Sequence, residues 1–376
     1  MLMRPRKKPS YRELKEGNLE LNSSESAQGL TRLGSAPISL YVDINLKCNL
    51  KCPSCHRNHP QYESYEWPTM PFQTFERVAR ELFPTAYRVM LTGGGESLVH
   101  PDIDRILDLC VRHEVFPTIV TNGTTVTMKR AKLLASAGAY VGVSTDGASR
   151  ETFERLRYPG RWDRFLQSLE NLKDARAAAG NVAFFPHLQV VVQRDNIEEL
   201  PGFIELARAH GFELVKFSNL YPHFPELEEK VPDPGAASRS FVEVFKRANE
   251  LGIRVEVPDY GGTPDAEELA RLRAGNAFPV SLDDSPSMKY VTGGFVKYPD
   301  ATSPRCGVPF SETMITPEGK VVVGCCSQYQ LGELGSGSFL DIWNSEGYRI
   351  LRETVNSPEP MEFCRKSACP FRLQIP

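Results

Sequence analysis

Three cysteines stand within eight residues, Cys48, Cys52 and Cys55, in the run INLKCNLKCPSCHRN. A closed structural zinc site takes four ligands, and a disulfide framework takes an even number of cysteines. Three thiolates at C-x3-C-x2-C spacing therefore suit a metal centre with one position left open. A closed [4Fe–4S] cube takes one cysteine per iron, so three leave one iron for a substrate or cofactor. The competing reading is zinc with a more distant fourth ligand, His56 or His59.

The chain has nine cysteines, and five more gather near its other end: Cys306, Cys325, Cys326, Cys364 and Cys369. Only Cys110 stands alone, on the apolar face of a predicted helix, where a thiol packs as a small core residue. Two groups predict two metal sites in two structural regions. A third feature is TGGGES at residues 92–97. Its glycines let the backbone approach a ligand, and Glu96 is a ready acceptor for an ammonium group.

Elements at regular intervals must position these residues. Runs such as ISLYVDI (38–44), YRVMLTGGGE (87–96), FPTIVTNG (116–123), AYVGVSTDG (139–147), HLQVVVQ (187–193) and FELVKFS (212–218) read as six buried strands. Between them lie amphipathic helical patterns at 71–83, 102–114, 128–138, 163–180 and 196–211, several closed by glycine. Alternating strands and helices predict βα units on a parallel sheet, and six units predict an open, partial barrel with its site at the carboxyl ends of the strands. The cysteine loop follows the first strand, and the glycine-rich turn follows the second. Residues 1–36 read as a polar, partly ordered arm and 37–257 as the barrel, with a helix near 237–250 and a short strand at 253–257. The Pro-, Gly- and Asp-rich stretch 258–305 reads as a surface connector. A second unit occupies 306–376, with a hairpin over ETMITPEGKVVVG and one amphipathic helix over 338–355.

Cys48, Cys52 and Cys55, followed by Gly94-Gly95-Glu96 after the second strand and STDGA (144–148) after the fourth, resemble the radical S-adenosylmethionine (radical SAM) enzymes. The resemblance covers roughly 38–220. It implies a SAM-binding [4Fe–4S] cluster on the three thiolates, with the amino and carboxylate groups of SAM on the open iron. It further implies reductive cleavage of SAM to a 5'-deoxyadenosyl radical that takes a hydrogen atom from the substrate. By position, Gly94, Gly95 and Glu96 would hold the methionine amino group, and Ser144 and Asp146 would meet the ribose. Asn122 and Gln193 would line the same pocket. Two positions depart from the family pattern: Ser54 stands where an aromatic residue is usual, and Ser97 where proline is usual.

The C-terminal unit is similar to the twitch form of the SPASM domain, a small α+β unit. That implies one auxiliary [4Fe–4S] cluster on Cys306, Cys325, Cys364 and Cys369. Cys326 is spare under this count and is a candidate hydrogen-atom donor. Because neighbours on a strand point to opposite faces, Cys325 and Cys326 compete for the ligand position.

The expected function is radical SAM oxidation or epimerisation of a small polar metabolite of sugar, aminocyclitol or nucleoside type, fed by a one-electron donor such as flavodoxin or ferredoxin. About 37 residues before the first strand are too few for a peptide-binding domain, which favours the small molecule. Modification of a ribosomally made peptide is the alternative, and a non-catalytic zinc protein is the alternative of another class. The net charge of −3 gives no case for a nucleic-acid partner. No run of 18 apolar residues predicts a membrane span, and no signal-peptide core is evident, so a cytoplasmic protein with reduced thiols is expected.

Overall fold

The structure is a computed structural model, and it describes residues 9–180, 183–258, 263, 265–276, 306–323, 329–335 and 337–366. The stretch expected to be a partly ordered arm instead forms helix α1 (Tyr11–Ala27), opened by a capping box between Ser10 and Glu13. Polar residues dock it. Lys15 Nζ donates to the carbonyls of Ala86 (2.7 Å) and Glu114 (3.0 Å), and Asn18 bonds the backbone of Ala36 in both directions. A helix held by buried polar contacts has no apolar stripe, so periodicity could not announce it.

The barrel follows in strict alternation: β1 (Ser39–Val42), α2 (Phe72–Leu82), β2 (Arg88–Met90), α3 (Ile103–Arg112), β3 (Phe116–Thr121), α4 (Met128–Ser136) and β4 (Tyr140–Ser144). Then come α5 (Arg150–Leu156), α6 (Trp162–Ala179), β5 (Phe185–Val192), α7 (Gly202–Ala209), β6 (Leu214–Asn219), α8 (Pro234–Leu251), β7 (Arg254–Glu256) and α9 (Ala266–Gly275). Strands β1 to β7 lie side by side and parallel; the short strand expected at 253–257 extends the six of the βα units as β7. Helices cover the convex face. Phe75, Ile106, Leu134, Phe165, Phe203 and Phe245 are fully buried there. The helix expected over 196–211 is broken. A 3-10 turn (Arg194–Glu199) precedes Pro201, and α7 starts after it, because proline has no N–H to continue the turn.

The C-terminal unit continues the same sheet. Its elements are α10 (Val308–Ser311), β8 (Glu312–Ile315), β9 (Lys320–Val322), β10 (Gln330–Glu333), α11 (Phe339–Trp343), α12 (Glu346–Thr354) and α13 (Glu362–Lys366). β8 pairs parallel with β1, Leu40 opposite Thr313, and forms the expected hairpin with β9 through Gly319 (φ 88°). The sheet order is β10-β9-β8-β1-β2-β3-β4-β5-β6-β7. The strand that leads to Cys48 is thus hydrogen-bonded to the strand that follows Cys306. The single helix expected over 338–355 is two, α11 and α12. Asn344 interrupts it by giving its amide to the backbone of Leu33, as acceptor from N and donor to O, both at 2.8 Å. Trp343 Nε1 donates to Ser35 O at 3.0 Å, and Arg77 of α2 reaches the carbonyls of Gly335 and Gly337. The stretch 258–305, expected to be a surface connector, instead forms helix α9 in its described part, with Leu269 buried; residues 277–305 lie outside the described residues, as do Cys325, Cys326 and Cys369.

Candidate metal and cofactor site

At the carboxyl ends of the strands lies a cavity of about 390 Å³. It brings together all ten residues singled out in the barrel sequence: Cys48, Cys52, Cys55, Gly94, Gly95, Glu96, Asn122, Ser144, Asp146 and Gln193. The loop carrying the thiols is tied down by Asn45. Its Nδ2 donates to Lys47 O and Glu96 O, both at 2.9 Å, so the cysteine loop and the glycine turn share one anchor. That shared anchor is why Gly95 must be glycine. A Cβ there would lie 2.5 Å from the carbonyl oxygens of Asn45 and Lys47. Gly94 carries no such demand, its nearest contact being Leu46 at 3.4 Å.

Two carboxylates of the cavity wall already have protein partners. Glu96 is buried at the cavity wall, and its oxygens are engaged by the protein. They already accept from Thr121 Oγ1 (2.8 Å), Asn122 N (2.6 Å) and Leu98 N (3.1 Å). Burial pushes its pKa up, and these hydrogen bonds pull the other way. Asp146 is committed to protein partners as well. Its Oδ1 accepts from Val191 N at 3.1 Å, and its Oδ2 lies 2.8 Å from Arg157 Nε. Ser144 lines the wall beside it. Asn122 Nδ2 donates to Asn49 Oδ1 at 2.9 Å and faces Cys48 Sγ at 3.8 Å. Gln193 accepts from Ser54 Oγ at 2.7 Å, so the residue standing in the aromatic position ties the cysteine loop to the end of β5.

Arg157 was not legible. It follows the STDGA loop among three arginines of ERLRYPGR, and no spacing rule separates it from surface charge. Tyr221 and His223, from the loop after β6, also line the cavity. That loop follows the last regular βα unit, and no periodic pattern singles these two residues out.

The donor set fits an iron–sulfur cluster better than a single ion. Among the described residues, no group of three or more His, Cys, Asp or Glu side chains could hold one metal ion. The three thiols all line the one cavity, as a cluster with one cysteine per iron requires. His59 is turned away, stacked on Phe224 with ring centres 3.6 Å apart, and His56 faces His223 at 5.0 Å. Burial pushes the Cys52 thiol up to about 11, with Arg157 pulling it down, and burial likewise raises Cys48. Thiolates here need a compensating cation, which coordinated iron supplies. Cys110 is fully buried in α3, a core residue as expected. Cys306 and Cys364 are half-buried, and Asn356 holds Cys306 by its backbone, accepting from its N at 2.8 Å.

A parallel partial barrel that delivers three thiols to its carboxyl rim defines a class of SAM-dependent iron–sulfur enzymes. The chain carries a radical SAM domain, whose superfamily model matches residues 43–207, and a SPASM iron-sulfur cluster-binding domain at 306–370. Its cofactors are SAM and [4Fe–4S] clusters. The mycofactocin maturase MftC of Mycolicibacterium smegmatis is 32% identical over 177 residues, 47% of this chain and 43% of that protein. This chain thus spans less than half the length of that relative. The antilisterial bacteriocin subtilosin biosynthesis protein AlbA of Bacillus subtilis is 23% identical over 94% of this chain and 70% of its own length. Crystal structures of Streptococcus suis SuiB share the fold at 16% identity. One, bound to S-adenosylmethionine, has a TM-score of 0.60 over 91% of this chain and 73% of its own. Another, bound to precursor peptide SuiA, has a TM-score of 0.58 over 89% and 70%. A maturase, a bacteriocin biosynthesis protein and a fold neighbour bound to a precursor peptide overturn the small polar metabolite expected as substrate and partner. Among the described residues, no helix is long and apolar enough to cross a membrane.

Proposed function

We propose that this chain is a radical SAM maturase that takes a hydrogen atom from a residue of a ribosomally made peptide, leaving that residue oxidised or epimerised. The observation that carries this reading is the similarity to AlbA over 94% of the chain, together with the 32% identity to MftC in the barrel. When bound, the open cluster and SAM supply the hydrogen-abstracting radical. The chain's own residues hold and shield that chemistry. Cys48, Cys52 and Cys55 are the cluster ligands, and the Gly94-Gly95 backbone faces the cofactor's amino end. Ser144, Asn122 and Gln193 offer polar contacts on the wall. Leu50, Val120, Val191 and Leu220 are apolar lining that excludes water. Cys306, Cys325, Cys364 and Cys369 are the ligands of the auxiliary cluster, and Cys326 is the donor for any epimerisation.

The test uses anaerobically reconstituted protein, SAM, a reductant and synthetic peptides deuterated at the α and β carbons of one residue type at a time. Deuterium in 5'-deoxyadenosine with a matching mass change in the peptide is the expected result. Transfer from a deuterated small metabolite, with every peptide inert, overturns the reading.

A further inference from the structure

The Asp146–Arg157 pair is a buried ion pair set into the wall of the cluster cavity. Both residues line that cavity together with Cys48, Cys52 and Cys55. Their side chains are 9% and 12% exposed, and Arg157 Nε stands 2.8 Å from Asp146 Oδ2. Asp146 is fixed from behind. Its Oδ1 accepts from Val191 N at 3.1 Å, and its backbone carbonyl accepts from Asn196 Nδ2 at 3.0 Å. Arg157 is fixed by its chain. Lys51 N, in the loop between the first two cysteines, donates to Tyr158 O at 2.6 Å, and Gly160 N closes onto Arg157 O at 2.6 Å. The cysteine loop and the arginine are thus bound to each other by backbone.

Arg157 and Asp146 line the same cavity as the three thiols, so each puts a fixed charge of opposite sign in the wall around the cluster. A fixed charge in a poorly hydrated wall acts over a longer effective range than one in water. Reduction adds an electron to the cluster, and nearby net charge is one of the levers by which a protein sets a cluster's potential.

We propose that Arg157, held by Asp146, is a positioning residue that raises the reduction potential of the cluster on Cys48, Cys52 and Cys55. Arg157 favours the reduced state by its charge, and Asp146 limits that effect by partial neutralisation. This inference rests on the cluster and not on the identity of the substrate. It therefore stands or falls separately from the peptide reading.

The experiment is an anaerobic redox titration of the full chain with both clusters loaded and no SAM or substrate, followed by electron paramagnetic resonance. Dithionite supplies the electrons. The signal of the open cluster is identified as the one that changes when SAM is added afterwards. R157Q is expected to shift that potential to more negative values and D146N to more positive values. D146N keeps an oxygen for the Val191 N–H. R157K retains the charge and is expected to stay near the parent. Opposite shifts from the two partners are a signature that a packing role would not give. The proposal is overturned if D146N and R157Q move the potential in the same direction, or if either loads full iron and leaves it unmoved. If R157Q fails to take up iron, the D146N shift decides: a positive shift upholds the proposal, and no shift or a negative one overturns it.

Discussion

Glu96 Oε2 accepts a hydrogen bond from the backbone N–H of Asn122 at 2.6 Å, and this contact joins the turn after β2 to the end of β3 beneath the cofactor cavity. The acid of the glycine-rich motif is thus part of the frame that holds the motif's backbone.

The first prediction concerns that frame. Glu96→Ala leaves the Thr121 hydroxyl and the N–H groups of Asn122 and Leu98 without their acceptor in a buried place. Each unsatisfied buried donor costs about 1–3 kcal/mol. Glu96→Gln keeps one oxygen and is expected to lose less. Denaturant unfolding of the iron-loaded protein checks the order parent, Gln variant, Ala variant. Equal stability of parent and Ala variant would refute the framing role.

Adjacent glycines are predicted to differ. Gly95→Ala drives a methyl group to 2.5 Å from two carbonyl oxygens, and overpacking of this kind costs about 1–3 kcal/mol. It also pushes the cysteine loop away from the turn. Gly94→Ala meets nothing closer than 3.4 Å. Iron content and SAM cleavage are expected to fall sharply in the Gly95 variant. Folding and iron uptake are expected to persist in the Gly94 variant.

Much of this was legible because the chemistry is local in sequence. The thiol triad and the glycine turn each follow a strand, and strand ends of a parallel barrel share one rim. What was not legible depends on partners far along the chain. Lys15 docks α1 on residues about 70 and 100 positions away. Asn344 breaks a helix because its partner is Leu33, 311 positions earlier. Asp146 reads as a strand-end turn residue, and only the fold reveals Arg157 as its counter-ion. The substrate class was misjudged for a related reason. The length of chain before β1 bears on one way of holding a peptide and not on whether the cavity rim holds one.

The junction between barrel and C-terminal unit carries the third prediction. Trp343 is fully buried, lies 4.7 Å from the ring of Tyr348, and has Arg352 over its face at 4.4 Å. Trp343→Ala is expected to destabilise by about 3–5 kcal/mol, as large core truncations do. Trp343→Phe keeps most of the packing but leaves Ser35 O without its donor, for a smaller loss of about 1–3 kcal/mol. Unfolding followed by tryptophan-independent circular dichroism measures both. A Phe variant as damaged as the Ala variant would show that the indole N–H, and not the packing, holds the junction.

The last prediction is a pH dependence. Asp43 follows β1, its backbone N donates to Ile315 O at 2.9 Å, and its carboxylate packs against Gly93. Burial raises its pKa from 3.8 to about 6, with the charge of Glu318 adding to the rise, and Oδ1 has no hydrogen-bond partner among the described residues. The folded chain therefore binds this proton more tightly than the unfolded chain does. The stabilisation is complete below the unfolded value of 3.8 and is lost as pH rises through 6. A shift of this size corresponds to ~3 kcal/mol at most. Asp43→Asn removes the titration. The stability difference between the Asn variant and the parent is expected to grow in the variant's favour from about pH 4 to pH 7 and then level off. Urea unfolding of both proteins across that range measures it. A difference that stays flat with pH would mean that the Asp43 carboxyl is ionised as easily in the folded chain as in the unfolded one.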